Sequence, residues 1–91
     1  MSKMIATFEV TKKETHRFNV TRAEYTGLMA AELLRRRTLI EKTKGNEALV
    51  QTMSSELETR IITLLGKRRS TQLLKSTKAQ NIELVNVTIY L

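Results

Sequence analysis

The sequence predicts an α+β fold: an N-terminal β-hairpin, a two-helix antiparallel hairpin and a C-terminal β-strand (ββααβ), with a small antiparallel sheet backed by the helices. Two observations carry this. Apolar residues alternate at period two near both ends of the chain, and between them they recur at helical spacing. The chain has 91 residues with 41% hydrophobic content, enough for one small core, so residues 1–91 are expected to form a single domain.

Met4, Ala6, Phe8 and Val10 alternate with Ile5, Thr7, Glu9 and Thr11, and His16, Phe18 and Val20 alternate with Arg17 and Asn19. Both runs have the period of a half-buried strand. TKKET separates them without a glycine, which predicts a loop of about four or five residues built on a type I turn.

The period changes at VTRAEY. Thr21 and Glu24 have the spacing of a capping box, with Val20 and Tyr25 placed as its hydrophobic staple. The first helix is expected to run from there to Thr43, where Lys44, Gly45 and Asn46 supply a stop. Its predicted apolar stripe is Tyr25, Leu28, Met29, Leu33, Leu39 and Ile40. The second helix begins near Glu47, with Asn46 as its cap, and ends at Gly66; its stripe is Val50, Met53, Leu57, Ile61, Leu64 and Leu65. Ser55 and Glu58 repeat the capping-box spacing and allow a later start, but no proline interrupts the run and one helix is expected.

NIELVNVTIYL closes the chain as a strand rich in β-branched residues. Val85, Val87, Ile89 and Leu91 would face one side, and Leu84, Asn86, Thr88 and Tyr90 the other. Apolar groups on both sides predict a central or partner-covered strand.

Composition removes several function classes. There is no cysteine, every acidic residue is Glu, and His16 is the only histidine. Thiolate metal sites, Ser/His/Asp sets and Cys/His pairs therefore each lack a member, so neither catalytic residues nor a metal or cofactor is expected and the chain is not expected to be an enzyme. The chain has no long apolar run, which predicts a soluble, cytoplasmic protein that uses no membrane. Small size, absence of Cys and Pro, and excess charge are in keeping with small phage-encoded accessory proteins, in which case the compartment would be the host cytoplasm.

The net charge of +7 is uneven: Lys and Arg exceed Glu by ten to eight over residues 1–58 and by six to one over 59–91. Such a chain attracts polyanions. The stretch LGKRRSTQLLKSTK holds five cations, four hydroxyls and no acid. It is not a P-loop, because Arg68 rather than Ser or Thr follows Lys67. RRS has the form of a basophilic kinase site, on a three-residue match alone. Gly66 is expected to end the second helix in a left-handed conformation, which would leave Lys67, Arg68 and Arg69 at the negative end of the helix dipole. That accounts for the position of the cations but not for the absence of acids between Glu58 and Glu83.

Lys67, Arg68, Arg69, Lys75 and Lys78 are accordingly the candidate contacts to nucleic-acid phosphates. Only Tyr90 is placed for base stacking, so DNA or RNA would be held without sequence preference. Glu32 and Arg36, four residues apart on an apolar stripe, together with Ile62 and Tyr90, are the candidate interface of a homo-oligomer, while Arg35 and Arg37 beside them are expected to be solvated. The expected function is a small basic non-enzymatic binding protein that contacts nucleic acid. The alternative is a protein-interaction factor, such as an assembly chaperone or an inhibitor of a host protein, with its basic surface on an acidic partner.

Overall fold

The structure, a computed structural model, describes residues 3–75 and 77–91; Ser76, one of the four hydroxyls of the basic stretch, lies outside the described residues. The order of elements is β1 (Lys3–Thr11), β2 (Glu14–Val20), α1 (Arg22–Thr43), α2 (Glu47–Leu74), a 3-10 turn (Ala79–Asn81) and β3 (Glu83–Tyr90). The predicted ββααβ order is therefore the observed one. The three strands form an antiparallel sheet of order β2-β1-β3, and α1 packs on both α2 and β3.

The first hairpin is tighter than its composition predicts. Only Lys12 and Lys13 separate the strands. A bulge between Glu9 and Thr11 takes up the odd residue, and the Thr11 hydroxyl accepts the amide hydrogens of Lys13 (3.3 Å) and Glu14 (3.0 Å), so a side chain supplies what a glycine would otherwise give.

β3 is an edge strand, not a central one. A second bulge breaks the expected alternation along it: Thr7 pairs with Asn86 but Phe8 pairs with Leu84, which leaves Val85 unpaired between them. Leu84 thereby joins Val87 on the core side, buried at 8% exposure, while Val85 stands 47% exposed.

The α1 capping box forms as the sequence predicts. The Thr21 hydroxyl accepts the Glu24 amide hydrogen at 3.1 Å and the Glu24 carboxylate accepts that of Thr21 at 2.9 Å. The buried face of α1 is rotated from the predicted stripe. Leu28, Ala31, Glu32 and Thr38 are buried, whereas Met29, Leu33 and Ile40 are about half exposed. Gly27 sets the approach of the helices, because a Cβ there would collide with the Leu64 side chain. Asn46 does begin α2 but makes no capping bond; its side chain donates to Glu41 at 2.7 Å instead.

Leu57, Ile61 and Leu65 of α2 meet Leu28 and Ala31 over Ala6, Phe8, Ile82 and Leu84 in a single core cluster. No residue from 39 to 56 is buried. The far ends of both helices therefore project beyond the core, and the molecule measures 45 × 24 × 21 Å.

Candidate nucleic-acid interface

Gly66 governs the basic stretch. Its φ of 80° and ψ of 167° break the helix, a conformation open to glycine because any Cβ would be strained there. The chain does not end its helix as expected: residues 67–74 resume helical geometry after the kink. Leu74 comes to line the same groove as Ser55 and Glu58, although in a straight helix sixteen residues would separate Leu74 from Glu58 by about 24 Å. Lys67, Arg68 and Arg69 thus open a helical segment, where cations oppose the dipole, rather than only closing the preceding one.

Core contacts set the rotation of this segment. Leu73 is fully buried and Ser70 is 2% exposed, its hydroxyl donating to the Lys67 carbonyl. At 100° per residue the opposite side carries Lys67, Thr71, Lys75, Arg68 and Gln72 within about 140°. All five are exposed. Among the described residues, the side chains of Lys67, Arg68 and Lys75 enter no ion pair or hydrogen bond, and no Glu lies on this face. Burial of Ser70 also removes the kinase reading of RRS from the folded chain.

Arg69 points the other way. Its Nη2 donates to Glu24 Oε2 at 2.6 Å, its Nη1 to the Asn19 carbonyl at 2.8 Å and its Nε to the Leu65 carbonyl at 2.7 Å. One guanidinium thus ties the end of β2 and the α1 cap to the last turn before the kink. Hydrogen bonding from Arg69 and then from the Thr21 amide holds the Glu24 carboxyl below its ordinary range. Lys78 is exposed and lies apart from the cationic face, on a groove of about 770 Å³ that Lys42, Glu47, Glu58, Ser54 and Gln80 also line.

The candidate interface residues divide differently. Glu32 is 5% exposed and central to a network. Arg35, expected in solvent, is its main partner: the Arg35 side chain is 12% exposed and donates from Nε (2.8 Å) and Nη2 (2.9 Å) to the two carboxylate oxygens. Arg36 adds one 3.2 Å bond from a side chain that is 64% exposed. The Leu84 amide donates to Glu32 at 3.2 Å. Burial pushes the Glu32 carboxyl upward, but the bonds from Arg35 and the Leu84 amide outweigh it, and the net shift is downward. Ile62 is exposed on α2, Tyr90 is exposed on β3, and Arg37 is exposed as expected.

The role of Arg35 was not recognisable from helical spacing alone, because Glu32 precedes both arginines at workable distances. The choice between them depends on where β3 and the 3-10 turn dock. Among the described residues no group of three His, Cys, Asp or Glu side chains is placed to hold a metal, and no helix is long and apolar enough to cross a membrane. No protein family, no curated protein and no solved structure matches this chain.

Proposed function

We propose that this chain is a small basic binding protein that acts without catalysis and contacts nucleic-acid phosphates through Lys67, Arg68 and Lys75, with Lys78 at the margin. One observation supports this reading above the others: Lys67, Arg68 and Lys75 share one exposed face without a partner among the described residues, and the first two open a helical segment, where the dipole does not favour them. A charge that stabilises its own fold is paired or placed at a favourable helix end. Lys67 and Arg68 are neither, and Lys75, at the helix C-cap, is unpaired among the described residues, which fits an external anion.

Arg69, a candidate contact on sequence grounds, serves to position the segment. With its guanidinium bonded to Glu24, Asn19 and Leu65, it orients Lys67 and Arg68 outward. The face offers point charges and the Gln72 amide but no aromatic ring, the Thr71 hydroxyl being donated to the Lys67 carbonyl at 2.6 Å, so it suits backbone contact without base readout.

Titration of the chain against DNA and RNA of unrelated sequence across salt concentration tests this. Comparable affinity for all sequences is expected, with a slope of log K against log salt near −3.6 for four phosphates, a loss on the order of a hundredfold from 50 to 200 mM salt. Absence of binding to either nucleic acid, with capture of an acidic protein by the same face, would replace this reading with the protein-interaction one.

A further inference from the structure

The sheet has two outer strands, β2 and β3, and their chemistry differs. β2 carries Glu14, His16 and Arg17 and follows the Lys12–Lys13 turn, the kind of charge that discourages edge-to-edge pairing. β3 has one charge, Glu83, at its first position and none from Leu84 to Leu91. Val85, Ile89, Tyr90 and Leu91 are all exposed large apolar residues. The start of this edge is guarded, by the Glu32 carboxylate that accepts the Leu84 amide hydrogen and by the bulge at Val85. Among the described residues, no side chain bonds the backbone of residues 85–90.

α1 extends the same surface. Glu32 and Arg35 reach β3 at Leu84 and Glu83, and Tyr25 and Ile89 line one hollow. Met29, Leu33 and Ile40 fall within about 40° of one another on the helix, on the side flanked by Tyr25 and Arg36, and are exposed. An uncharged strand edge and an apolar helical stripe thus adjoin.

We propose that a second copy of this chain pairs with β3, antiparallel and about a twofold axis near Val87, to give a six-stranded sheet. The strand is complementary to itself. In the register centred on Val87, Val85 faces Ile89 of the second copy, Asn86 faces Thr88, and Glu83 falls opposite Leu91, so apolar residues meet and like charges do not. Pairing of β3 with β3 leaves only the charged β2 edges outward, and the assembly closes at two copies.

The area is adequate. A Leu-sized side chain corresponds to roughly 100 Å² at the usual transfer coefficient, so the exposed parts of Met29, Leu33, Val85, Ile89, Tyr90 and Leu91 supply on the order of 400 Å². That is about the apolar share of the roughly 800 Å² per partner of a standard interface. The opposing factor is charge, since each copy carries +7. Salt screens that repulsion, and the dimer therefore tightens with salt, the opposite of phosphate binding.

Sedimentation of the full chain at about 50 and about 500 mM salt, without nucleic acid, tests this at concentrations of tens of micromolar. A monomer–dimer equilibrium with more dimer at high salt is expected. The exposed double substitution Val85→Lys, Ile89→Lys should weaken dimerisation by at least about a hundredfold, with circular dichroism reporting the fold. As an independent reading, Val87→Cys in this cysteine-free chain should yield a covalent dimer on mild oxidation. A monomer at both salt concentrations, assembly beyond two copies, a dimer indifferent to the lysine substitutions in a folded chain, or a Val87→Cys chain that stays uncrosslinked while dimeric would each overturn the proposal.

Discussion

The carboxylate of Glu32, on α1, accepts the backbone amide hydrogen of Leu84, on β3, at 3.2 Å. These residues are fifty-two positions apart, and the bond does the work of a neighbouring strand where the sheet edge meets the helix. Arg35 holds the same carboxylate from the other side and donates weakly to the Gln80 carbonyl at 3.4 Å. Helix, 3-10 turn and last strand are therefore joined through one buried acid.

Removing that acid should be severe. Glu32→Ala leaves the buried Arg35 with only the exposed Glu83 carboxylate, 4.0 Å away, as counter-charge and the Leu84 amide without its acceptor, an expected loss of about 3 kcal/mol. Arg36→Ala removes only a bond from an exposed side chain and should cost less than about 1 kcal/mol. Urea unfolding of the two variants separates them, and similar losses would contradict the central place given to Arg35.

The same carboxylate makes the fold sensitive to acid. Glu32 and Glu24 both lie below their ordinary value of 4.5 in the folded chain. A carboxyl depressed by folding contributes stability above its unfolded pKa and loses it as pH falls through the folded one. Unfolding free energy should therefore be level from neutral pH to about pH 5 and decline below it, and Arg69→Gln, which frees Glu24, should make that decline shallower. A decline of unchanged steepness would remove the Glu24–Arg69 pair from the account.

Gly66 should tolerate no side chain. A Cβ there would meet nothing within 4 Å, so the cost of Gly66→Ala comes from backbone conformation alone, about 1–3 kcal/mol. A thermal melt close to that of the parent would mean that the chain turns between residues 65 and 67 in some other way.

Much of this architecture was legible from residue order. The capping box at Thr21 and Glu24 and the stripe Leu57, Ile61, Leu65 specify their elements through local spacing. What escaped the sequence depends on distant docking. Gly66 signals a break, and Leu73 and Leu74 read in the sequence as able to pin only a short helical turn; that helical geometry resumes directly at residue 67 depends on Leu73 finding the core. Arg68 and Arg69 are adjacent and chemically alike, and only the proximity of Glu24 and Asn19 sends one inward while the other stays in solvent. Likewise, Val85 and Leu84 exchange faces because of a bulge whose cause lies in the pairing of β3 with β1, not in either residue. The cationic stretch was visible as composition; its division into a free face and a structural arginine was not.

On the proposed function, Lys67, Arg68 and Lys75 form an anion-binding face while Arg69 only positions it. The most direct measurement compares the salt dependence of nucleic-acid binding for the parent, for Lys67→Gln, Arg68→Gln, Lys75→Gln combined, and for Arg69→Gln. The triple variant should lose about 2.7 units of slope with its melting temperature unchanged, whereas Arg69→Gln should lower the melting temperature and keep the parent slope. A triple variant that binds with the parent slope, or a slope lost on Arg69→Gln in a chain that remains folded, would contradict the assignment.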